Sequence, residues 1–189
     1  MEANKVVDNK AQKAGLKQQR ERQILELTDA EISYAPEFLS ADEAHYYRRL
    51  FEQELQWSQE QIILFGRSVA IPRLQAWYGD AGTHYRYSGL HMQPLAWTAS
   101  LLELRHRLEE HSGQQFNSVL ANLYRDGQDS VGWHADNEPE LGQNPLIASL
   151  TLGAERRFRL RHKKHRELTH QLQLANGSLL LMAGGTQQH

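Results

Sequence analysis

The chain has 189 residues, 40% of them hydrophobic, and a formal net charge of −2. That suits one domain with a sizeable core and excludes a polycation, so any nucleic-acid role must come from a local patch. The absence of cysteine excludes a disulfide scaffold, a thiolate metal site and a cysteine nucleophile. In chain order, residues 1–26 (MEANKVVDNKAQKAGLKQQRERQILE) are polar and densely charged. They read as a solvated helix or a disordered arm, composition favouring the arm. Ser40 followed by Glu43 is a capping-box pattern opening a helix through ADEAHYYRRLFEQEL, with Tyr47, Leu50, Phe51 and Leu55 on its apolar face. Short β-rich pieces broken by Gly and Pro follow in IILFGRSVAIPRLQAWYGDAGTHYRYSG, and PLAWTASLLELRHRLEEHSG predicts a second helix stopping at Gly113. From FNSVLANLY onward the apolar period is two, through LIASLTLG, RRFRLRH, THQLQLANG and SLLLMAGG.

Helices first and a run of short strands afterwards imply an α+β fold, a sandwich or jelly roll with helices packed on one side. The expected divisions are an arm to residue 26, a helical and lid layer over 27–115, and a strand-rich core over 116–189. No apolar run reaches membrane-spanning length, and the first residues lack the apolar core of a signal peptide. The expectation is therefore a soluble, cytoplasmic protein, nuclear in a eukaryote, with no membrane partner and no obligate protein partner.

The chemistry-bearing stretch is NLYRDGQDSVGWHADNE. In an extended segment, residues two apart point the same way. His134 and Asp136 would then offer an imidazole nitrogen and a carboxylate oxygen to one point, two parts of a 2-His-1-carboxylate facial triad. A lone His-x-Asp triplet is equally a loop pair in solvent, so neighbouring segments must supply the rest. Asn122 and Tyr124 share a face just upstream, an amide and a phenol able to hydrogen-bond a dicarboxylate; Tyr124 alone is also an ordinary amphipathic strand residue. Seven of the eleven residues from Arg156 to Arg166 are Lys or Arg. A strand there puts Arg157, Arg159 and Arg161 on one face and Phe158 and Leu160 on the other, giving a phosphate-binding face or a merely solvated one.

Taken in order, FNSVLANLYRDGQDSVGWHADNEPELG and PLIASLTLGAERRFRLRHK closely resemble the AlkB family of Fe(II)- and 2-oxoglutarate-dependent nucleic-acid dealkylases. The likeness runs back through PRLQAWYGDAGTHYRYSG and forward through ANGSLLLMAGGTQ, roughly residues 32–189. It implies a double-stranded β-helix (jelly roll) and oxidative demethylation of alkylated DNA bases of the 1-methyladenine and 3-methylcytosine type. The cofactors implied are Fe(II), 2-oxoglutarate as co-substrate and O2. It further implies that His134 and Asp136 hold the iron and that Asn122 and Tyr124 contact 2-oxoglutarate. Arg73, Tyr85, Tyr87 and Ser88 would belong to the nucleotide lid and base pocket, and Glu138 would lie near the substrate base. The family places its third ligand in a stretch like T-Q-x-x-W-x-H, which Thr186–His189 enters; in register His189 stands before the Trp. The family's two co-substrate arginines are not matched within the sequence. The expectation is accordingly a jelly roll lacking its last strands. A non-catalytic nucleic-acid-binding remnant, or the same chemistry on RNA or protein, are the alternatives.

Overall fold

The computed structural model describes residues 22–189 except 65, 84, 88 and 89, with the backbone alone at 64, 85–87 and 90–92. The chain forms two compact units, one joining the segment up to Arg49 with Asn144–His189, the other Leu50–Gln143.

In the first unit, β1 (Gln23–Leu27) pairs antiparallel with β2 (Ala30–Ala35), Leu27 opposite Ala30. The two-residue turn between them puts Asp29 at φ 56, a left-handed conformation that aspartate tolerates better than most residues. The arm expected to reach residue 26 therefore gives way to a strand at Gln23, ahead of the first helix. The reason is amphipathic alternation: Leu25 and Leu27 pack on the core while Ile24 and Glu26 face out. β2 also pairs with β12 (Leu179–Ala183), and β12 with β9 (Ile147–Leu150), completing a four-stranded antiparallel sheet. Leu179, Leu180, Leu181 and Met182 are all buried. This central strand is covered on both faces, which is why it reads as a continuous apolar run and not as an alternation. The core joins Ile32, Tyr34, Leu174, Leu180 and Met182, with Phe158 and Leu160 packed against them. Those two come from β10 (Arg156–Arg161), which forms a hairpin with β11 (Thr169–Leu174).

Helix α1 (Ala41–Glu54) starts where predicted, with Glu43 N–H donating to Ser40 Oγ at 3.3 Å and Ser40 N–H to Glu43 Oε2 at 2.8 Å. Tyr47, Phe51 and Leu55 are buried along its face.

In the second unit, β3 (Gln61–Leu64) and β4 (Arg67–Ala70) form a hairpin, as do β6 (Tyr85–Tyr87) and β7 (Leu90–Met92). β5 (Leu74–Gly79) pairs antiparallel with β8 (Ser118–Leu123), placing Gln75 opposite Asn122 and Trp77 opposite Leu120. Helix α2 (Ala99–Ser112) is capped by Thr98, whose side chain accepts from Leu101 N–H, and ends at Gly113 with φ 70, the left-handed stop that glycine permits. Its Arg105 bonds Asp80 at 2.8 Å and Glu109 at 2.9 Å while lying over the Trp97 ring. The Phe116 N–H and then Arg105 hold the Glu109 carboxyl below the usual carboxylate range. No helix among the described residues is long and apolar enough to cross a membrane.

Candidate active site

β8 delivers Asn122 near its end, and the chain leaves the strand at Tyr124, which is partly buried. A compact turn follows. Asp126 Oδ1 accepts the N–H groups of Gln128 (2.8 Å) and Asp129 (3.2 Å), the aspartate side chain substituting for a backbone turn acceptor. Buried Asp129 then clasps Arg125, accepting from its N–H at 2.9 Å, its Nε at 2.8 Å and its Nη2 at 2.9 Å. A two-pronged guanidinium–carboxylate bond of this kind fixes direction as well as distance. The loop is also tied to the bend just before β5, where Ser130 N–H donates to Pro72 O at 3.0 Å.

His134 and Asp136 lie beyond this loop, outside any strand ladder. They nevertheless face one another, with His134 Nε2 and Asp136 Oδ1 3.8 Å apart. His134 Nδ1 is 2.9 Å from Gly132 O. A carbonyl only accepts, so Nδ1 carries the hydrogen, and in the neutral ring the lone pair is then on Nε2, the tautomer a metal ligand needs. Two donors about 2.1 Å from one ion can be at most about 4.2 Å apart and sit about 3 Å apart at a right angle. The pair is thus within reach of a shared cation and would close by under about 1 Å to take adjacent octahedral positions. Burial pushes the Asp136 carboxyl up, His134 opposes that, and Glu138 adds to it. A half-desolvated carboxylate beside a second acid is relieved by a cation. These residues fit Fe(II).

The other expected positions fall as follows. Glu138 is partly buried and immediately precedes the short 3-10 turn Pro139–Leu141, without a side-chain hydrogen bond to it. Tyr85 and Tyr87 lie on β6, and Ser88 lies outside the described residues. Arg157, Arg159 and Arg161 are exposed on β10, opposite Gln173, Gln171 and Thr169, on the face away from Phe158 and Leu160. Arg73 does not extend into solvent. It is 7% exposed, with Nε 2.8 Å from Asn122 Oδ1 and Nη1 3.4 Å from Ser130 O. Neither that contact nor the Asp129 clasp was readable from sequence, because the first depends on the β5–β8 register and the second on the path of the loop.

A second His/Asp grouping, Asp29, His162 and His189, has ligand atoms within 4.8 Å of one another. His162 Nδ1 accepts the N–H groups of Lys164 and His165 at 3.1 and 3.0 Å. The ring hydrogen is therefore on Nε2, donated to Asp29 Oδ2 at 3.2 Å. Ligation there would demand an imidazolate, so this grouping is a hydrogen-bonded clasp of the β1–β2 turn.

Residues 31–189 match the model of the 2OG-Fe(II) oxygenase superfamily. The chain belongs to that superfamily. It is 40% identical over 161 residues to the human alpha-ketoglutarate-dependent dioxygenase alkB homolog 3, covering 80% of this chain and 56% of that protein. To mouse DNA oxidative demethylase ALKBH2 it is 41% identical over 167 residues, 82% of this chain and 69% of the relative. For the human ALKBH2 protein the identity is 38% over 169 residues, 84% and 64%. These likenesses place the chain in the AlkB branch, and it spans between about half and two thirds of the length of these relatives. The cofactors of the superfamily are Fe(II), 2-oxoglutarate and O2, in keeping with the His134–Asp136 pair.

Proposed function

We propose that this protein oxidatively demethylates alkylated DNA, acting on bases of the 1-methyladenine and 3-methylcytosine type, on a double-stranded β-helix (jelly roll) scaffold. The observation that carries the reading is the His134–Asp136 pair, 3.8 Å apart with the imidazole tautomer set by Gly132 O, in a chain of this superfamily. His134 and Asp136 would hold Fe(II). With O2 and 2-oxoglutarate, the iron supplies an oxidation that hydroxylates an N-methyl group, which leaves as formaldehyde, with succinate and CO2 as the other products. Asn122 and Tyr124 would donate hydrogen bonds to 2-oxoglutarate. The methylated base must leave the stack to reach the iron. Tyr85 and Tyr87 would hold it by stacking, with Ser88 in the same segment, and Glu138 would favour the cationic charge that methylation gives such bases. Arg157, Arg159 and Arg161, exposed in a row, would meet backbone phosphates.

The test is mass spectrometry of methylated oligonucleotides incubated with the full chain, Fe(II) and 2-oxoglutarate. Single-stranded DNA, duplex DNA and RNA are run side by side. Loss of the methyl from DNA is expected. Loss from RNA alone would move the substrate class, and DNA binding without methyl loss would leave only a nucleic-acid-binding role.

A further inference from the structure

Arg73 is a cation held almost wholly out of water by neutral oxygens. Its Nε donates to Asn122 Oδ1 and its Nη1 reaches Ser130 O. The same Asn122 oxygen also accepts from Gln75 Nε2, at 3.0 Å, so two donors fix which end of the amide faces inward. Among the described residues no carboxylate pairs with it. Burying a positive charge without an anion is costly, and fold alone would be served equally by a neutral side chain. The contact has a directional consequence. Asn122 must point its oxygen at Arg73, so its amide nitrogen is turned away, on a residue that is itself exposed. The end of Asn122 that a ligand meets is therefore a donor, with a buried cation one hydrogen bond behind it.

We propose that Arg73 is a positioning residue for the small dicarboxylate co-substrate. It locks the Asn122 amide with its nitrogen outward, toward an anion docking there. Through Ser130 O it also ties that end of β8 to the loop that leads to His134. This rests on the reading of Asn122 and Tyr124 as 2-oxoglutarate contacts. It differs from a base-pocket role for Arg73 in what it predicts, because Arg73 acts on the co-substrate through Asn122 and makes no contact with the nucleotide.

The experiment titrates 2-oxoglutarate into the full chain by calorimetry with Mn(II) present as an unreactive stand-in. The variants are Arg73→Gln, Arg73→Lys, Asn122→Ala and the Arg73→Gln/Asn122→Ala pair. Arg73→Gln should weaken 2-oxoglutarate by roughly 10–100-fold, the range for damage one layer behind a ligand contact. Its affinity for a methylated oligonucleotide should not change. The pair should be no worse than Asn122→Ala alone, since residues acting through one contact are not additive. Arg73→Lys keeps the charge but not the fork, so it should fold and fall between parent and Arg73→Gln. Unchanged 2-oxoglutarate affinity in both Arg73 variants, additive losses in the pair, or a loss confined to the oligonucleotide would overturn the proposal. A parent that binds no 2-oxoglutarate would instead overturn the reading of Asn122 and Tyr124 on which it stands.

Discussion

Replacing Asp129 with Ala removes the acceptor for three donors of Arg125 at 2.8–2.9 Å. The Asp129 side chain is 8% exposed and that of Arg125 is 45% exposed. The guanidinium can therefore turn back to water once released, and its two bonds are worth less than they would be in a closed core. The Arg125 backbone N–H has no such freedom, and removing its charged acceptor costs about 1.5–3 kcal/mol. The guanidinium is left out of the sum because it is open to solvent, so the net loss should be about 1.5–3 kcal/mol, or roughly 3–12 °C in Tm for a chain of this size. Asp129→Asn keeps one oxygen and should lose about half. Arg125→Ala should lose less than Asp129→Ala, because it spares the backbone bond. Urea unfolding followed by circular dichroism reads all three. The loop also separates Asn122 from His134, so Mn(II) affinity in Asp129→Ala should drop about tenfold or more. A stability loss under about 0.5 kcal/mol would mark the clasp as an ordinary surface pair and remove it as the device that directs the chain toward His134.

Glu109 sets a pH dependence of known sign. Its folded pKa lies below the unfolded value, for the Phe116 N–H and Arg105 both favour the anion. Its stabilisation is thus complete above the ordinary carboxylate range and vanishes as pH falls through the folded pKa; the stability gap between the parent and Glu109→Gln, measured by urea midpoint, should be constant near neutrality and shrink in acid. Converting Arg157, Arg159 and Arg161 to Ala should make log affinity for duplex DNA less dependent on log salt, by about 0.9 for each phosphate no longer neutralised; an unchanged slope would mean that these side chains are only solvated. Gly177 has φ +80 and an added Cβ would sit 2.6 Å from Leu39 O, so Gly177→Ala should lower stability by at least about 1–3 kcal/mol; a Tm equal to the parent's would contradict the close approach of the two backbones.

The helices were legible because their signals are local. The Ser40/Glu43 box and the Gly113 stop act within one turn, and the structure uses both. The alternating strands β8, β10 and β11 were legible for the same reason, while β12, expected to alternate, is a continuous apolar run. The β1–β2 pair was not. Five residues of QILEL are too few to stand out of a polar stretch, and what makes them a strand is their place on the β2–β12 sheet, which comes from the far end of the chain. His134 and Asp136 converge as the i, i+2 rule anticipates, though on an irregular segment and not a strand, so the direction was readable while its support was not. Arg73 was placed with the nucleotide lid by resemblance. Its contact with Asn122 depends on the pairing of Gln75 with Asn122 across β5 and β8, a register that no local pattern in either strand specifies.

The central claim, that His134 and Asp136 hold the iron that oxidises a methylated base, is met most directly by formaldehyde release from 1-methyladenine or 3-methylcytosine DNA. The full chain and its Asp136→Ala variant are each supplied with Fe(II), 2-oxoglutarate and O2. The parent should release formaldehyde in step with succinate, and the variant, with the same circular dichroism, should lose more than the roughly 10–100-fold expected even of damage behind a ligand. Equal release by the two proteins, or none from the parent, would contradict the account.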